Sequence, residues 1–428
     1  MPAWALSFRP PPAEGAPVYL ALGTILGISA TLLASTPLGQ IDSAPRKPII
    51  PSPLTTLLPT LTQSKIAALP YPPSALPGGR SVLTPYGTIR CFEWGPEDGP
   101  KVLLLHGIST PCLSLGNLAE ALAAEHGCRV MVFDLFGRGY SDAPDPRGDG
   151  VPYDLQLYTA QILLVLASSR LAWTGDDGFH LVGYSFGGGL AVGFARYFAR
   201  MVRSVVVVAG GGLIRKGHVG WRSRVLYSRE WLPEGVLQWL IWRRLMPKGE
   251  VGEGRVTETK MATEVVDFKG GEQHEDSDAS GGHSFDNAVL LARRPGHTVS
   301  SVMGWQLRHH QGFIPAFVSS IRYAPIYEQK EDWYELGRQL AERRERSGWG
   351  DTADDLPGLK GGKILLVLGA SDPVIVKEEL IHDATAVLGE DGFEAVLLDA
   401  GHELVMTKGA EVADVISEFW ARSQGDTA

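Results

Sequence analysis

Cysteine, asparagine and basic charge are all scarce in this chain. There are three cysteines, Cys91, Cys112 and Cys128, an odd number with no Cys-x-x-Cys spacing. That excludes a disulfide framework and a cysteine-built metal site, and leaves reduced thiols packed in or near a core. The asparagines are Asn117 and Asn287, and neither opens an Asn-x-Ser/Thr sequon, in accord with a cytosolic domain. Lys and Arg total 39 against 48 Asp and Glu, a formal charge of −9. The electrostatic footprint of a nucleic-acid binder is missing, so nucleic acid is not an expected partner. No internal repeat of solenoid period is visible.

What is present is apolar: 44% of 428 residues, enough to bury a large core, with length alone pointing to two or three domains. About half of the 29 prolines precede residue 80. No charge occurs from Gly15 to Ile41, and residues 18–34 (Val18 to Ala34) are almost wholly apolar, at the short end of the roughly 17–25 residues that span a bilayer. The expectation is a tail over 1–17, a single-pass membrane anchor over 18–34 and a Pro-rich linker over 35–80, with a short helix near 61–68. A cleaved secretory signal is disfavoured by the single Arg9 and by Glu14; a helix packed on the globular part is the third reading. Arg46 and Lys47 after the run lean toward a cytosolic catalytic domain, secreted or soluble placement being the alternatives.

From residue 81 strands and helices alternate. A turn at Thr84-Pro85-Tyr86-Gly87 joins two strands as a hairpin. The run from Lys101 to Leu105 is a fully apolar strand ending in His106-Gly107-Ile108, as expected of a strand covered on both faces. A helix over 113–126 follows, then a strand over 129–135 that enters Asp134-Leu-Phe-Gly-Arg138-Gly-Tyr-Ser-Asp142. After a helix over 158–171 comes Phe179-His-Leu-Val-Gly183-Tyr-Ser185-Phe186-Gly187, in which an apolar strand meets a tight turn and then an apolar-periodic helix. Such a turn forces its apical serine into strained geometry, so small residues are needed on both sides. A Val-rich strand ends at Ala209, and the alternation resumes with a strand over 363–369 before Asp372, a helix over 377–388, a strand over 394–398 before Gly401-His402, and a last helix to about Trp420. The pattern argues an α/β doubly wound sheet with ligands at the carboxyl ends of its strands. The core is expected over 81–212 and 356–428.

Between them lies an insertion, 213–355, holding Trp221, Trp231, Trp239, Trp242, Trp305, Trp333 and Trp349. It reads as a helical lid, with helices over 226–245 and 299–323, whose aromatic side faces an apolar substrate. Tryptophans that build only the lid's own core, or that meet lipid, are the other readings. Residues 249–298 are expected to be a disordered acidic loop: Glu272, Glu275, Asp276, Asp278 and Asp286 occur among Gly and Ser without Lys or Arg between 270 and 286. His274 and His283 in it are not a metal site, because a flexible tract supplies no fixed geometry.

Acyl transfer at neutral pH needs a hydroxyl next to a base, a carboxylate that orients the base, and N–H donors for an oxyanion. Ser185, Asp372 and His402 follow successive strands and are the candidates for nucleophile, orienting acid and base. The N–H groups of Phe186 and Ile108 are the candidate oxyanion donors. His309, His310 and His382 fall on helical patterns, and Asp399 is too near His402 along the chain to be its natural partner. His106 is expected to shape the oxyanion loop, and Asp134 and Arg138 to hold theirs by charge and hydrogen bonds.

Taken together, His106-Gly107, 134–141, Gly183-Tyr-Ser-Phe-Gly187, Gly369-Ala-Ser-Asp372 and Gly401-His402 resemble the α/β-hydrolase superfamily, of the monoglyceride-lipase-like or esterase-like kind, over about four-fifths of the chain. The resemblance implies an α/β-hydrolase fold with a mostly parallel eight-stranded sheet, a lid after the sixth strand and no cofactor. It departs in a longer lid and in a single glycine at the oxyanion loop. The expected function is hydrolysis of an apolar or lipid-like carboxylic ester. Thioester cleavage, C–C hydrolysis, acyl transfer and a non-catalytic binding protein are the alternatives.

Overall fold

The computed structural model describes residues 48–175, 178–218, 227, 233–246, 281–347 and 358–423. The apolar segment 18–34, the tail before it, residues 35–47 and the acidic tract over 249–280 lie outside them, as do Trp221, Trp231, Trp349 and His274. Among the described residues no helix is long and apolar enough to cross a membrane.

Eight strands form one sheet: β1 (Gly79–Thr84), β2 (Gly87–Trp94), β3 (Lys101–Leu105), β4 (Arg129–Phe133), β5 (Phe179–Tyr184), β6 (Val202–Val208), β7 (Ile364–Gly369) and β8 (Phe393–Leu398). Their order is β8-β7-β6-β5-β3-β4-β2-β1. From β4 to β8 every pairing is parallel, while β2 runs antiparallel to both β1 and β4. The central strands are buried on both faces, β4, β5 and β7 along their whole length, which is what their unbroken apolar runs require. α1 (Gly116–Ala124), α2 (Leu155–Ala167) and α3 (Phe186–Phe198) alternate with the strands.

The region expected to be a linker is not one over its described part. From residue 48 it packs on the core: Ile49 and Ile50 pair with Pro144 and Ala143, a short helix forms at Gln63–Ala67, and Tyr71, Ala75 and Leu76 are buried. Composition hides this because the partners are remote. The Tyr71 hydroxyl donates to Asp134 Oδ2 at 3.1 Å, and prolines suit a segment that needs few backbone donors.

The insertion also differs from expectation. Its described helices are α4 (Glu234–Leu245), α5 (Gly281–Asn287), α6 (Val299–His309), α7 (Phe313–Tyr323) and α8 (Lys330–Ser347). The single helix expected over 299–323 is two, because the chain turns at His310, whose Nε2 bonds Ser141 O at 2.9 Å while Gly312 N donates to its Nδ1. Residues 281–298, expected to be disordered, form α5 and a Val289–Thr298 bridge. α8, expected in the lid, packs on the core helices: Trp333, Leu336 and Leu340 form a fully buried stripe, and it lies against α3 and α9 (Lys377–Leu388). Its high charge density masked that narrow stripe. The chain ends in α10 (Gly409–Ser423), which packs on α1. All three cysteines are buried and unpaired.

His180 on β5 is fully buried against Trp420, ring centroids 4.0 Å apart, with Nδ1 at 2.7 Å from Ser204 Oγ, and burial lowers its pKa to about 3. That lies below the unfolded value of about 6.5, so its contribution to stability is complete above pH 6.5 and is lost as the pH falls toward 3. Between pH 6 and 4 the site adds about 1.4 kcal/mol per pH unit to the slope of unfolding free energy. His180→Gln should lower the slope by that amount in urea titrations; an unchanged slope would refute the assignment. Tyr71→Phe removes one of the donors to a fully buried carboxylate and should cost about 1–3 kcal/mol in the same measurement; no loss would mean that the segment from residue 48 is not fastened through Asp134.

Candidate active site

Ser185 follows β5 and is the N-cap of α3, with φ 52° and ψ −120°, a region costly for any residue with a Cβ. Three hydrogen bonds hold it there: Ser185 N to Val208 O at 2.9 Å, Gly188 N to Ser185 O at 2.9 Å and Gly211 N to Ser185 O at 2.8 Å. The flanking glycines are needed for space. A Cβ on Gly183 would meet Gly187 O at 2.2 Å, and one on Gly187 would meet Leu105 O at 2.2 Å.

Ser185, Asp372 and His402 are brought together. His402 Nε2 is 2.9 Å from Ser185 Oγ, and His402 Nδ1 is 2.8 Å from Asp372 Oδ2. Asp372 Oδ1 accepts from Val374 N at 2.8 Å and Ile375 N at 2.9 Å. The carboxylate therefore accepts a hydrogen bond from Nδ1–H and leaves Nε2 as acceptor for the serine hydroxyl. The Asp372 side chain is 1% exposed and that of His402 7%, so both work in a low-dielectric setting. Tyr184 OH donates to His402 O at 2.8 Å and anchors the histidine loop.

The two candidate oxyanion residues, Ile108 and Phe186, line the same cavity as Ser185, Gly107 and His402. Phe186 opens α3, where the first N–H groups have no partner within the helix and the helix dipole favours negative charge. Behind Ile108, His106 is fully buried. Its Nε2 accepts from Leu135 N at 2.9 Å, so the proton sits on Nδ1 and is donated to Gly107 O at 2.7 Å. Burial lowers its pKa to about 3 and keeps the ring neutral. His106 thus braces the loop.

Asp134 and Arg138 do not pair with each other. The fully buried Asp134 accepts from Cys112 N and Tyr140 N, each at 2.9 Å, as well as from Tyr71, and burial pushes its carboxyl up. The Arg138 guanidinium donates to Ile108 O at 3.1 Å and to Phe136 O, Tyr158 OH and Ser320 Oγ, each at 2.9 Å. Gln306 on α6 receives Gly139 N at 2.8 Å and donates to Ser109 O at 3.0 Å. Helix α6 is therefore bonded to the loop after β3 directly, and α7 through Arg138. Sequence reasoning missed Gln306 and Ser320, for which only their place in an apolar-periodic helix was available as a signal.

The cavity holds about 870 Å³ of empty space, part of it open to solvent. Its wall is mostly apolar, with Ile214, Leu245, Met303, Ile321, Ile326 and Val374 among the lining, and carries one carboxylate, Asp286. None of the described tryptophans lines it; the aromatic residues that the insertion presents to it are Phe285 and Tyr327. Trp305 and Trp333 are core residues, and Trp239 and Trp242 are 52% and 37% exposed. Among the described residues no cluster of His, Cys, Asp or Glu could hold a metal ion.

The family model described as "alpha/beta hydrolase fold" matches residues 100–244. The human "Serine hydrolase-like protein" is 33% identical over 138 residues, 32% of this chain and 63% of that protein. The zebrafish (Danio rerio) protein of the same name is 32% identical over 130 residues, 30% of this chain and 37% of its own. The chain thus spans less than two thirds of these relatives. Among solved structures, the enol-lactonase from Burkholderia xenovorans LB400 overlays with a TM-score of 0.49 at 15% identity, covering 80% of this chain and 100% of that one. Strand order, the turn at Ser185 and the family match agree: the chain has the α/β-hydrolase fold.

Proposed function

We propose that the protein is a serine hydrolase that cleaves a carboxylic ester with an apolar, lipid-like acyl chain, through an acyl-enzyme intermediate. The observation that carries this reading is the unbroken row Ser185 Oγ, His402 Nε2, His402 Nδ1, Asp372 Oδ2, with contacts of 2.9 and 2.8 Å, opening on an apolar cavity. The name of the human and zebrafish relatives, serine hydrolase-like protein, accords with it.

In the mechanism, Ser185 Oγ attacks the ester carbonyl carbon as His402 Nε2 takes its proton. Asp372 holds the tautomer and faces the imidazolium that forms. Negative charge on the former carbonyl oxygen is met by the N–H groups of Phe186 and Ile108 and by the N-terminal end of α3. Collapse expels the alcohol, which receives the proton from His402. Water, deprotonated by the same ring, then attacks the acyl carbon and releases the acid and free Ser185. The apolar wall favours a hydrocarbon chain, because burying it removes apolar surface from water.

A fluorophosphonate probe should label the wild type at Ser185 and fail to label Ser185→Ala, with His402→Ala slowed by at least about 1000-fold. No labelling of folded wild type would overturn the reading. Esters of graded chain length, run beside a thioester of the same acyl group, identify the bond; activity on the thioester alone would remove the ester assignment. The strained backbone makes a separate prediction for stability. Ser185→Gly should melt above Ser185→Ala, since glycine relieves a strain of about 1–3 kcal/mol that alanine keeps. A lower melting temperature for the glycine variant would mean that the turn stores no such strain.

A further inference from the structure

We infer that Glu403 is a positioning residue: its carboxylate latches helix α5 to the histidine loop through a hydrogen bond that helps to hold the cavity wall beside His402. The inference rests on the serine-hydrolase reading above for its functional consequence, but not for its geometry.

Glu403 follows His402 and is 5% exposed. Its side chain folds back over the loop, so that a Cβ on Gly401 would lie 2.6 Å from Oε2. Ser284 Oγ donates to Oε1 at 2.7 Å, joining positions 119 residues apart. Among the described residues Oε2 has no hydrogen-bond partner, which leaves Ser284 as the donor to this buried carboxylate. A buried acid supported so sparsely is unfavourable unless the contact it keeps has a use. Capping is not that use. The turn at Leu404–Thr407 is closed by the Glu403 main-chain oxygen, which receives Met406 N at 2.8 Å and Thr407 N at 3.1 Å.

What the contact holds is the wall of the site. The residues after Ser284 are Phe285 and Asp286, and both line the cavity. The Phe285 ring lies 5.9 Å from the His402 ring, which also packs against Tyr184 at 5.5 Å. At its other end α5 is tied to α6, through Ser300 Oγ to Asp286 O at 2.9 Å and Val299 N to Ala288 O at 3.1 Å. The link to Glu403 is thus the tie from α5 to the loop that carries the base. Releasing it loosens the wall without disturbing the Ser185–His402–Asp372 row, whose hydrogen bonds it does not share. Binding of a substrate that fills the cavity should suffer, and attack on a small reagent should not.

The test compares Ser284→Ala, Glu403→Ala, Glu403→Gln and the double alanine variant of the full chain. KM for a long-chain p-nitrophenyl ester should rise about tenfold in each alanine variant, the worth of one hydrogen bond to a charged group. kcat and the rate of labelling by a small fluorophosphonate should change little. The double variant should be no worse than Glu403→Ala, and Glu403→Gln should restore the wild-type KM, because its amide oxygen still accepts from Ser284. Additive effects, a glutamine variant as impaired as alanine, or labelling that falls in step with kcat/KM would each overturn the latch. Hydrogen exchange reads the latch without activity: amides of 281–287 should exchange faster in both alanine variants and not in Glu403→Gln. Unchanged exchange refutes the latch even in an active enzyme. Inactive wild type whose exchange responds as stated would refute the hydrolase reading alone.

Discussion

The backbone at Ser185 is the constraint on which the rest of the site depends. A non-glycine residue at φ 52° and ψ −120° persists only where its surroundings leave no alternative. Here they are supplied by β6, which accepts from Ser185 N, by the first turn of α3, and by the segment after β6, whose Gly211 N donates to Ser185 O. Gly183 and Gly187 let β5, α3 and the end of β3 approach within distances that no side chain could share. With the serine lifted at that edge, the parallel order of β5 to β8 carries the loops of Asp372 and His402 to the same edge, because parallel strands end in one direction.

Beneath this edge lies a set of buried polar groups that are mutually satisfied. His106 is neutral because burial disfavours its charge, and its two nitrogens have separate jobs, one accepting from Leu135 and one donating to Gly107. Arg138 spends its donors on carbonyl and hydroxyl oxygens of four partners. Asp134 gathers Tyr71 and two backbone amides. In a low-dielectric interior such bonds are strong and an unmade one is costly. The loop after β3, the loop after β4, the segment from residue 48 and helices α6 and α7 are therefore held as one polar unit, in which the insertion takes part as a structural member.

The strands, and the placing of Ser185, Asp372 and His402 just past three of them, were legible from sequence because each is a local signal. An apolar run of five to seven residues, a glycine turn and a polar residue just past a strand all lie within a few positions of each other. The legible part extended to His106, whose bracing role follows from its place after β3. What was not legible depends on partners far apart in the chain. Tyr71 meets Asp134 across 63 residues, Gln306 meets Gly139 across 167, and Ser284 meets Glu403 across 119. Composition misled where a few buried residues outweighed many polar ones, as in the Pro-rich segment after residue 48 and in the charged helix α8.

By itself, the sequence determined the alternation of strands and helices, the glycines that a strained turn requires, and the residue types at the strand ends, since these follow from local propensity, chain sterics and burial on both faces of a sheet. Only the tertiary structure decided which helices pack on the core and which wall the cavity, that the described tryptophans stay out of the cavity lining, and which buried polar atoms satisfy one another. Those choices rest on packing and on hydrogen bonds between distant segments, where a donor's value is set by the burial of its acceptor and not by its neighbours in the chain.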